Sequence, residues 1–454
     1  MSRKYLSDNA YEAPEQQEIA NGTLPVTYDE ADVFGNEDGH QIKYKTLSWP
    51  MVAVLMVAEI VSNGMLSLPS SLAVVGIVPG LILIVFLGIF ATYTAWLLVE
   101  FKLRHPEVHN MGDAGMILFG PIGREVLAFG TICFAIFATG GQLLAGQIAL
   151  AALSNDKLCL MLYTGIFAIP VLLCSFPRTL SSLSWLCIVS CISILVAGIV
   201  GMAGAGASPT PNRTIAAARS SNFYEAFFSI TNPVFAYAGH FMFFILISEM
   251  RRPHDAMKAA YALQAFATTF YALYAGVTYA YAGSTVASPA FSSLAAGTWA
   301  KAAYGVAVPN FLLAGALYAH TAAKLVLVRL FRGSAHLHDH TARGWAVWAA
   351  LVLAANAAAF VLAVGVPIFN YLLGLSASLF AAWYTYGLAG AFWLHDAWHD
   401  FDGWRAWRRM WGRAVLAWAT VLAGAFICVA GTYVNVKGIV EAYRSGEVAG
   451  AFTC

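Results

Sequence analysis

Apolar stretches separated by short polar segments run along the chain from Ser48 to Val436. Each has about the 20 residues that an α-helix needs to cross the hydrocarbon core of a bilayer. The alternating ten-residue segments of a membrane β-barrel are not visible in the sequence. We therefore predict an all-α polytopic membrane protein with eleven transmembrane helices, at about 48–76, 78–101, 124–153, 157–176, 181–206, 223–249, 258–283, 302–331, 344–364, 367–394 and 413–436.

Two of these stretches are interrupted near their middles. The first is broken at 62–64, which reads Ser-Asn-Gly, and the sixth at 231–240, which holds Asn232, Pro233 and Gly239. Irregular backbone inside a bilayer is tolerated only where it is buried in protein or lines a wet cavity, so the two breaks indicate a binding site. Breaks that lie five spans apart predict two five-helix halves in an inverted repeat, followed by one extra C-terminal helix.

Composition and charge agree with the membrane interpretation. The 454 residues are 59% hydrophobic and 11% charged, with a mean hydropathy of +0.67, which excludes an ordinary soluble domain. If the N-terminus is cytosolic, 19 of the 25 Lys and Arg residues lie on the cytosolic side and 6 on the other. The positive-inside rule therefore predicts a cytosolic N-terminus and, after eleven spans, an extracytosolic C-terminus. The net charge of +1 gives no reason to expect a nucleic-acid partner.

The predicted domains are a disordered cytosolic tail at 1–46, a transmembrane domain at 47–437 and a short extracytosolic tail at 438–454. The N-terminal tail is acidic, and it either binds cytosolic regulators or is a plain solvated leader. The seven cysteines lie mostly in apolar spans, so we interpret them as buried structural residues.

Two His-containing loops, at 336–340 and 395–400, resemble metal sites only superficially. Their Trp and Arg neighbours favour contacts with lipid headgroups at the membrane interface, so no metal site is expected. Membrane lipids are the expected surroundings of both loops.

The breaks also predict what kind of molecule binds. The half-helix that starts after the first break presents backbone N–H groups at Gly64, Met65 and Leu66, beside Ser62 and Asn63, and these suit a carboxylate. The half-helix that ends at the second break frees carbonyls near Phe235 and Ala236, which suit an ammonium group. A zwitterion fits this pair of poles. The alternative is that Gly64 and Gly239 only allow tight helix packing.

Further candidates come from neighbouring segments. Phe235 and Tyr237 are predicted to wall and gate the pocket, with Ala238 beside them. Gln142 either lines the pocket or makes an interhelical hydrogen bond, and Tyr318 in span eight is expected to face the site.

Ionisable residues at membrane depth are functional hypotheses by default. They are Glu59, one turn before the first break, His240, which follows the second break, and His320 in span eight. Each is able to bind and release a proton as the site changes sides. Glu59 and His240 have an equal alternative, in which they pair with each other to hold the broken helices together. For His320 a structural role is favoured.

The chain resembles the amino acid/auxin permease family, and within it the fungal neutral amino acid permease branch. The resemblance is carried by Glu59 to Pro69, by Phe235 to His240, by Ser248 to Pro253, and by Ala323-Lys324 with Arg329 to Gly333. It implies the inverted-repeat fold of the bacterial leucine transporter and proton-coupled uptake of neutral amino acids by alternating access. It also implies that 63–66 holds the carboxylate and 235–238 the α-amine. His320 is a poor sodium ligand, so a proton is the expected coupling ion.

The sequence holds no nucleotide-binding P-loop and no residue pair spaced for membrane acyltransfer or proteolysis, so we expect no enzyme and no cofactor. The hypothesis is a secondary active transporter that imports neutral amino acids, bulky apolar or aromatic ones, across the plasma membrane with protons. The alternatives are an amino acid sensor with vestigial transport and a vacuolar amino acid exporter.

Overall fold

The helices follow the predicted apolar stretches closely. The computed structural model describes residues 33–34, 37, 41–294, 297–399 and 403–445, and these are almost entirely helical. The first half holds α1 (Trp49–Ile60), α2 (Asn63–Val75), α3 (Ile77–Arg104), α4 (Met111–Ser154), α5 (Leu160–Cys174) and α6 (Leu180–Ala207). The rest holds α7 (Phe223–Ala236), α8 (Phe243–Ser248), α9 (Ala256–Ala282), α10 (Thr298–Phe331), α11 (Ala335–His338), α12 (Ala342–Gly365), α13 (Phe369–Ser376), α14 (Leu388–His399), α15 (Trp404–Arg409) and α16 (Trp411–Arg444).

Each of the eleven predicted stretches is helical, so the all-α fold class is confirmed. In the described part of the chain, eight helices are long and apolar enough to cross a membrane, and the bent pair of α1 and α2 adds a ninth. Helix α5 is apolar but shorter, and α9 is less apolar because it carries Gln264 and several Thr and Tyr residues. The exact count of eleven crossings therefore stays a prediction.

The predicted break in the first span is present. Helix α1 ends at Ile60, α2 begins at Asn63, and the two are bent by 51°. Between them Ser62 has φ −144° and ψ −113°, outside the helical region, and its side chain does not cap α2. The first turn of α2 therefore starts at membrane depth without the side-chain cap that usually satisfies an N-terminal N–H.

The predicted break in the sixth span is present as well. Helix α7 ends at Ala236, and the chain resumes as one 3₁₀ turn at His240–Met242 before α8. Two short bonds bridge the gap, from Ala238 N–H to the Phe235 carbonyl at 2.9 Å and from Gly239 N–H to the Tyr237 carbonyl at 3.0 Å. The backbone here is turned rather than extended.

The two glycines of the breaks bring the broken helices into contact. A Cβ on Gly64 would lie 2.6 Å from the Ala236 Cα, and a Cβ on Gly239 would lie 2.6 Å from the Ile60 Cγ2. Each glycine thus packs against the end of the other broken helix. The two glycines therefore allow tight helix packing, and this packing places both breaks side by side.

The N-terminal segment (residues 33–34, 37 and 41–47) differs from the prediction of a disordered tail up to residue 46. Val33, Phe34, Ile42 and Tyr44 are buried against α10 and α12, and residues 1–32 lie outside the described part of the chain. Backbone bonds run from Leu47 N–H to the Glu249 carbonyl and from Arg251 N–H to the Leu47 carbonyl, both at 2.9 Å. The prediction was wrong here because apolar residues without a helical or strand periodicity can still be buried against the surface of neighbouring helices.

The N-terminal segment covers a buried ion pair between Lys324 of α10 and Glu249 after α8. Both side chains are buried, and the Lys324 Nζ lies 4.5 Å from the centre of the Tyr44 ring, a cation–π distance. The partner of Glu249 is thus Lys324 of α10.

At the same end of the molecule, Asp396 is surrounded by bases rather than by metal ligands. It accepts hydrogen bonds from Arg104 at 3.3 Å and from His105 at 3.2 Å. Burial lowers the pKa of His105, but hydrogen bonds with Asp396 and Glu107 outweigh it and raise the pKa to about 9. In the described part of the chain, His, Cys, Asp and Glu side chains do not form a metal-binding group of three.

The cysteines do not all follow the interpretation as buried structural residues. Cys159, between α4 and α5, is disulfide-bonded. Cys133, Cys174, Cys187, Cys191 and Cys428 are free thiols, of which Cys187 is buried. The positive-inside rule assigns Cys159 to the extracytosolic side, where disulfides persist.

Replacing Lys324 by Met should lower the free energy of unfolding by about 3–5 kcal/mol, because it leaves the Glu249 carboxylate buried without a partner. Adding Glu249→Gln to Lys324→Met should recover most of this loss. The control is Lys258→Met, which breaks the exposed pair of Lys258 with Asp255 and should change stability by less than about 1 kcal/mol. Chemical unfolding in detergent measures all three, and equal losses for Lys324→Met and Lys258→Met would contradict a buried pair.

Candidate functional site

A narrow cavity lies between the two breaks, at the centre of the bundle. Its volume is about 10 Å³, close to the least that holds one water molecule. Helices α1, α2, α4 and α10 and the second break line it with Glu59, Ile60, Asn63, Gly64, Phe134, Ala138, Gln142, Phe235, Ala238, Phe241 and Tyr318. The site is therefore closed, and a ligand larger than water enters only when lining side chains move.

Glu59 is the ionisable side chain that faces this cavity. It is 1% exposed, and neither carboxylate oxygen has a hydrogen-bond partner among the described residues. A carboxylate buried without a partner is costly, so it must hold a proton or receive a cationic group. The geometry therefore makes Glu59 a receptor for a proton or for an ammonium group.

His240 does not pair with Glu59, so the alternative of a Glu59–His240 pair between the broken helices is wrong. Its Nε2 lies 2.9 Å from the Ala91 carbonyl and 3.3 Å from the Thr94 hydroxyl, both on α3. Its ring stacks on Phe243 with centroids 4.6 Å apart. His240 is buried but faces α3 and not the cavity.

His320 also lies away from the cavity. It is buried against Trp348 of α12, with ring centroids 5.1 Å apart. It follows Tyr318 by two residues, which places the two side chains on opposite sides of α10. The favoured structural role for His320 agrees with this position.

The first break brings together three polar side chains. The Ser62 hydroxyl donates to Gln142 Oε1 at 3.1 Å, so Gln142 both lines the cavity and makes the interhelical bond that the sequence left as alternatives. Asn63 is buried, and both polar atoms of its side chain are without partners among the described residues. With the uncapped start of α2, these groups form a polar side of the cavity that suits an anion.

The carbonyl groups at the two breaks have partners that the sequence did not predict. The Tyr271 hydroxyl of α9 lies 2.7 Å from the Ile60 carbonyl oxygen and 2.8 Å from that of Ala236. Tyr318 donates to the Glu59 carbonyl at 3.0 Å, and Asn310 donates to the Ala58 carbonyl at 3.1 Å. The freed carbonyls are thus satisfied by protein, and a ligand would have to use their second lone pairs.

Besides His240 and His320, five predicted site residues lie outside the cavity lining, namely Ser62, Met65, Leu66, Ala236 and Tyr237. Tyr237 is buried with its hydroxyl 3.0 Å from the Ile84 carbonyl and 3.2 Å from Thr268, so it fixes the second break to α3 and α9 and does not gate the pocket. Met65, Leu66 and Ala236 are buried in the core around the site. Their backbone still belongs to the two breaks.

The apolar wall of the cavity consists largely of residues that the sequence did not single out. Phe134 and Phe241 lie with ring centroids 4.5 Å apart, and Phe241 stacks on Tyr318 at 6.0 Å. Phe235 is half-buried and completes the wall, as predicted. One side of the cavity is therefore aromatic and the other polar.

Comparison with known proteins also indicates a membrane transport protein. A family model described as "Transmembrane amino acid transporter protein" matches residues 45–437. A transmembrane transporter of Gibberella moniliformis is 31% identical, over 92% of this chain and 89% of that protein. The N amino acid transport system protein of Neurospora crassa is 27% identical, over 92% of this chain and 90% of that protein.

Among solved structures, the chain is similar to Mhp1, a nucleobase-cation-symport-1 family transporter, in a closed conformation. The TM-score is 0.51 at 13% identity, and the match covers 90% of this chain and 95% of that one. The likeness supports the expected inverted-repeat, leucine transporter-like fold.

Replacing Tyr271 by Phe should lower the free energy of unfolding by about 1–3 kcal/mol, because two buried carbonyls at the breaks lose the one hydroxyl proton that they share. The matched control is Tyr274→Phe, one turn along α9, whose hydroxyl makes no hydrogen bond to α1 or α7 within the described chain. Thermal unfolding of both variants in detergent measures the difference. A Tyr271→Phe protein no less stable than Tyr274→Phe would show that the bridge contributes nothing.

Proposed function

The chain belongs to the transmembrane amino acid transporter family, and on that premise we propose that it imports neutral amino acids together with protons. The proposed transporter lies in the plasma membrane with a cytosolic N-terminus and works by alternating access. It acts without an enzymatic step or a cofactor.

The observation that carries this proposal is the Glu59 carboxyl, which has no partner among the described residues and lies in a closed cavity between two broken helices. This carboxyl requires a proton or a cation and lies where both broken helices meet. Its protonation is therefore coupled to the opening and closing of the cavity. When the site opens to water the carboxyl can lose its proton, and when it closes dry the carboxyl needs one. This difference is what proton coupling requires.

The lining supports the choice of substrate class. The uncapped start of α2, with Asn63, suits a carboxylate, while Glu59 and the carbonyls of the breaks suit an ammonium group. The aromatic wall of Phe134, Phe235 and Phe241 suits an apolar or aromatic side chain. Because the cavity is closed, the substrate enters by displacing part of this wall.

Uptake of labelled amino acids into proteoliposomes tests the proposal directly. With a pH gradient that is acidic outside, a neutral amino acid should accumulate above its outside concentration, and collapse of the gradient by a protonophore should release it. Replacing external sodium by a large organic cation should leave uptake unchanged. Binding without accumulation would instead indicate a sensor.

Glu59→Gln should abolish gradient-driven accumulation, because the amide keeps the shape of the carboxyl but cannot take up and release a proton. Exchange of internal unlabelled for external labelled amino acid should continue, since the cavity is intact. Glu225→Gln, at an exposed carboxyl in the first turn of α7, is the control and should behave as the wild type. Accumulation by Glu59→Gln at the wild-type level would exclude Glu59 as the coupling group.

Gly64→Ala should reduce uptake about tenfold, because the new Cβ would lie 2.6 Å from the Ala236 Cα and overpacking of this size costs about 1–3 kcal/mol. Gly165→Ala in α5, where a Cβ would meet no atom within 4 Å, is the control. Elution of the variant as a single folded species on size exclusion separates lost function from lost folding. Uptake by folded Gly64→Ala equal to that of Gly165→Ala would place the pocket elsewhere.

A further inference from the structure

A shallow groove lies on the outer surface of the bundle, away from the central cavity. Its volume is about 380 Å³, and it is lined by Ile89, Thr92, Tyr93 and Trp96 of α3 and by Tyr261 of α9. The four α3 residues follow the i, i+3, i+4, i+7 spacing of one helix face. Ile89 is 66% exposed and Tyr261 55%, so in a membrane the groove faces lipid.

Basic side chains lie on α15 and α16, two helices that pack in the same apolar cluster as Tyr93 and Trp96. Arg405, Arg408 and Arg409 of α15 and Arg413 of α16 are all exposed. Among the described residues none of these four forms an ion pair with a carboxylate, while the nearby Glu100 and Asp396 are already paired with Arg104. Four positive charges on these two helices are therefore without a protein counter-charge in the described chain.

The arginines and the groove are joined by one contact. The Arg413 guanidinium lies over the ring of Trp96, 5.4 Å from its centroid, and Trp96 is part of the groove. Trp404 and Trp411 are 61% and 71% exposed beside it, as expected for side chains at the level of lipid headgroups. The apolar groove and the positive charge of Arg413 thus adjoin each other, as the acyl chains and the headgroup of a lipid do.

We propose that the groove and the arginines beside it form a binding site for one anionic glycerophospholipid. Its phosphate and acidic headgroup lie against Arg413 and the arginines of α15, and one acyl chain lies along Tyr93, Trp96 and Tyr261. The charge of the arginines selects an anionic headgroup over a zwitterionic one. The apolar groove selects a lipid over a free anion, because a free phosphate gains nothing from it.

The site also links separate parts of the bundle. Helices α3 and α9 supply the groove, and α15 and α16 supply the charge. A lipid held across them stabilises their arrangement, since a ligand that binds the folded state alone stabilises it.

The test uses the full chain, purified in a neutral detergent and titrated with phosphatidylserine, phosphatidylcholine or inorganic phosphate. Native mass spectrometry counts bound lipid, and thermal unfolding records the shift in midpoint. Phosphatidylserine should be retained and should raise the midpoint, while phosphatidylcholine should do so less and inorganic phosphate not at all. Arg413→Gln should retain about fivefold less phosphatidylserine, the effect of one basic side chain near an anionic lipid surface.

Arg343→Gln is the matched control, since Arg343 is an exposed arginine in the first turn of α12, outside the groove and its arginine cluster. It should retain phosphatidylserine as the wild type does. Tyr261→Ala removes one wall of the groove and should weaken retention of phosphatidylserine and phosphatidylcholine together. The proposal is overturned if Arg413→Gln and Arg343→Gln retain equal amounts of phosphatidylserine, or if the wild type binds the two lipids equally. Full retention of phosphatidylserine by Tyr261→Ala, or a full midpoint shift with inorganic phosphate, would also overturn it.

Discussion

A helix that breaks inside a membrane leaves backbone groups that water cannot reach, and the organisation of this protein follows from how those groups are satisfied. Helices α1 and α7 both end at the centre of the bundle, so their carbonyl ends, which carry partial negative charge, converge. Asn310 and Tyr318 of α10 donate to carbonyls of α1, and the Tyr271 hydroxyl of α9 lies between the carbonyls of Ile60 and Ala236. Two unbroken helices thus hold two broken ones in place.

This arrangement separates the backbone of Glu59 from its side chain. The Glu59 carbonyl is bonded to Tyr318, which fixes the residue, while the carboxyl oxygens are without partners among the described residues. The side chain therefore remains for whatever enters the cavity, while its neighbours Gly64 and Gly239 let the two broken helices approach each other closely. The proposed coupling of substrate and proton needs both properties at Glu59, a backbone that is held in place and a carboxyl that is available.

Much of this could be predicted from the sequence, because the breaks are marked by Gly, Asn and Pro in spans that are otherwise apolar. The spans, the two breaks and the position of Glu59 rest on such local signals. The direction of side chains after a break does not, since a turned backbone interrupts the helical period, and Tyr237 was therefore assigned to the wrong side. Tyr271, Phe134 and Phe241 are aromatic residues among many, and only the packed structure shows what each one touches.

The N-terminal segment that covers Lys324 and Glu249 has one further consequence for the proposed alternating access. A dry ion pair is stabilised by its cover, but water that enters when the cover lifts hydrates both charges and replaces the lost contacts. Displacement of the N-terminal segment therefore exposes two charged groups that water solvates well. The free-energy difference between the covered and the uncovered pair is kept small in this way.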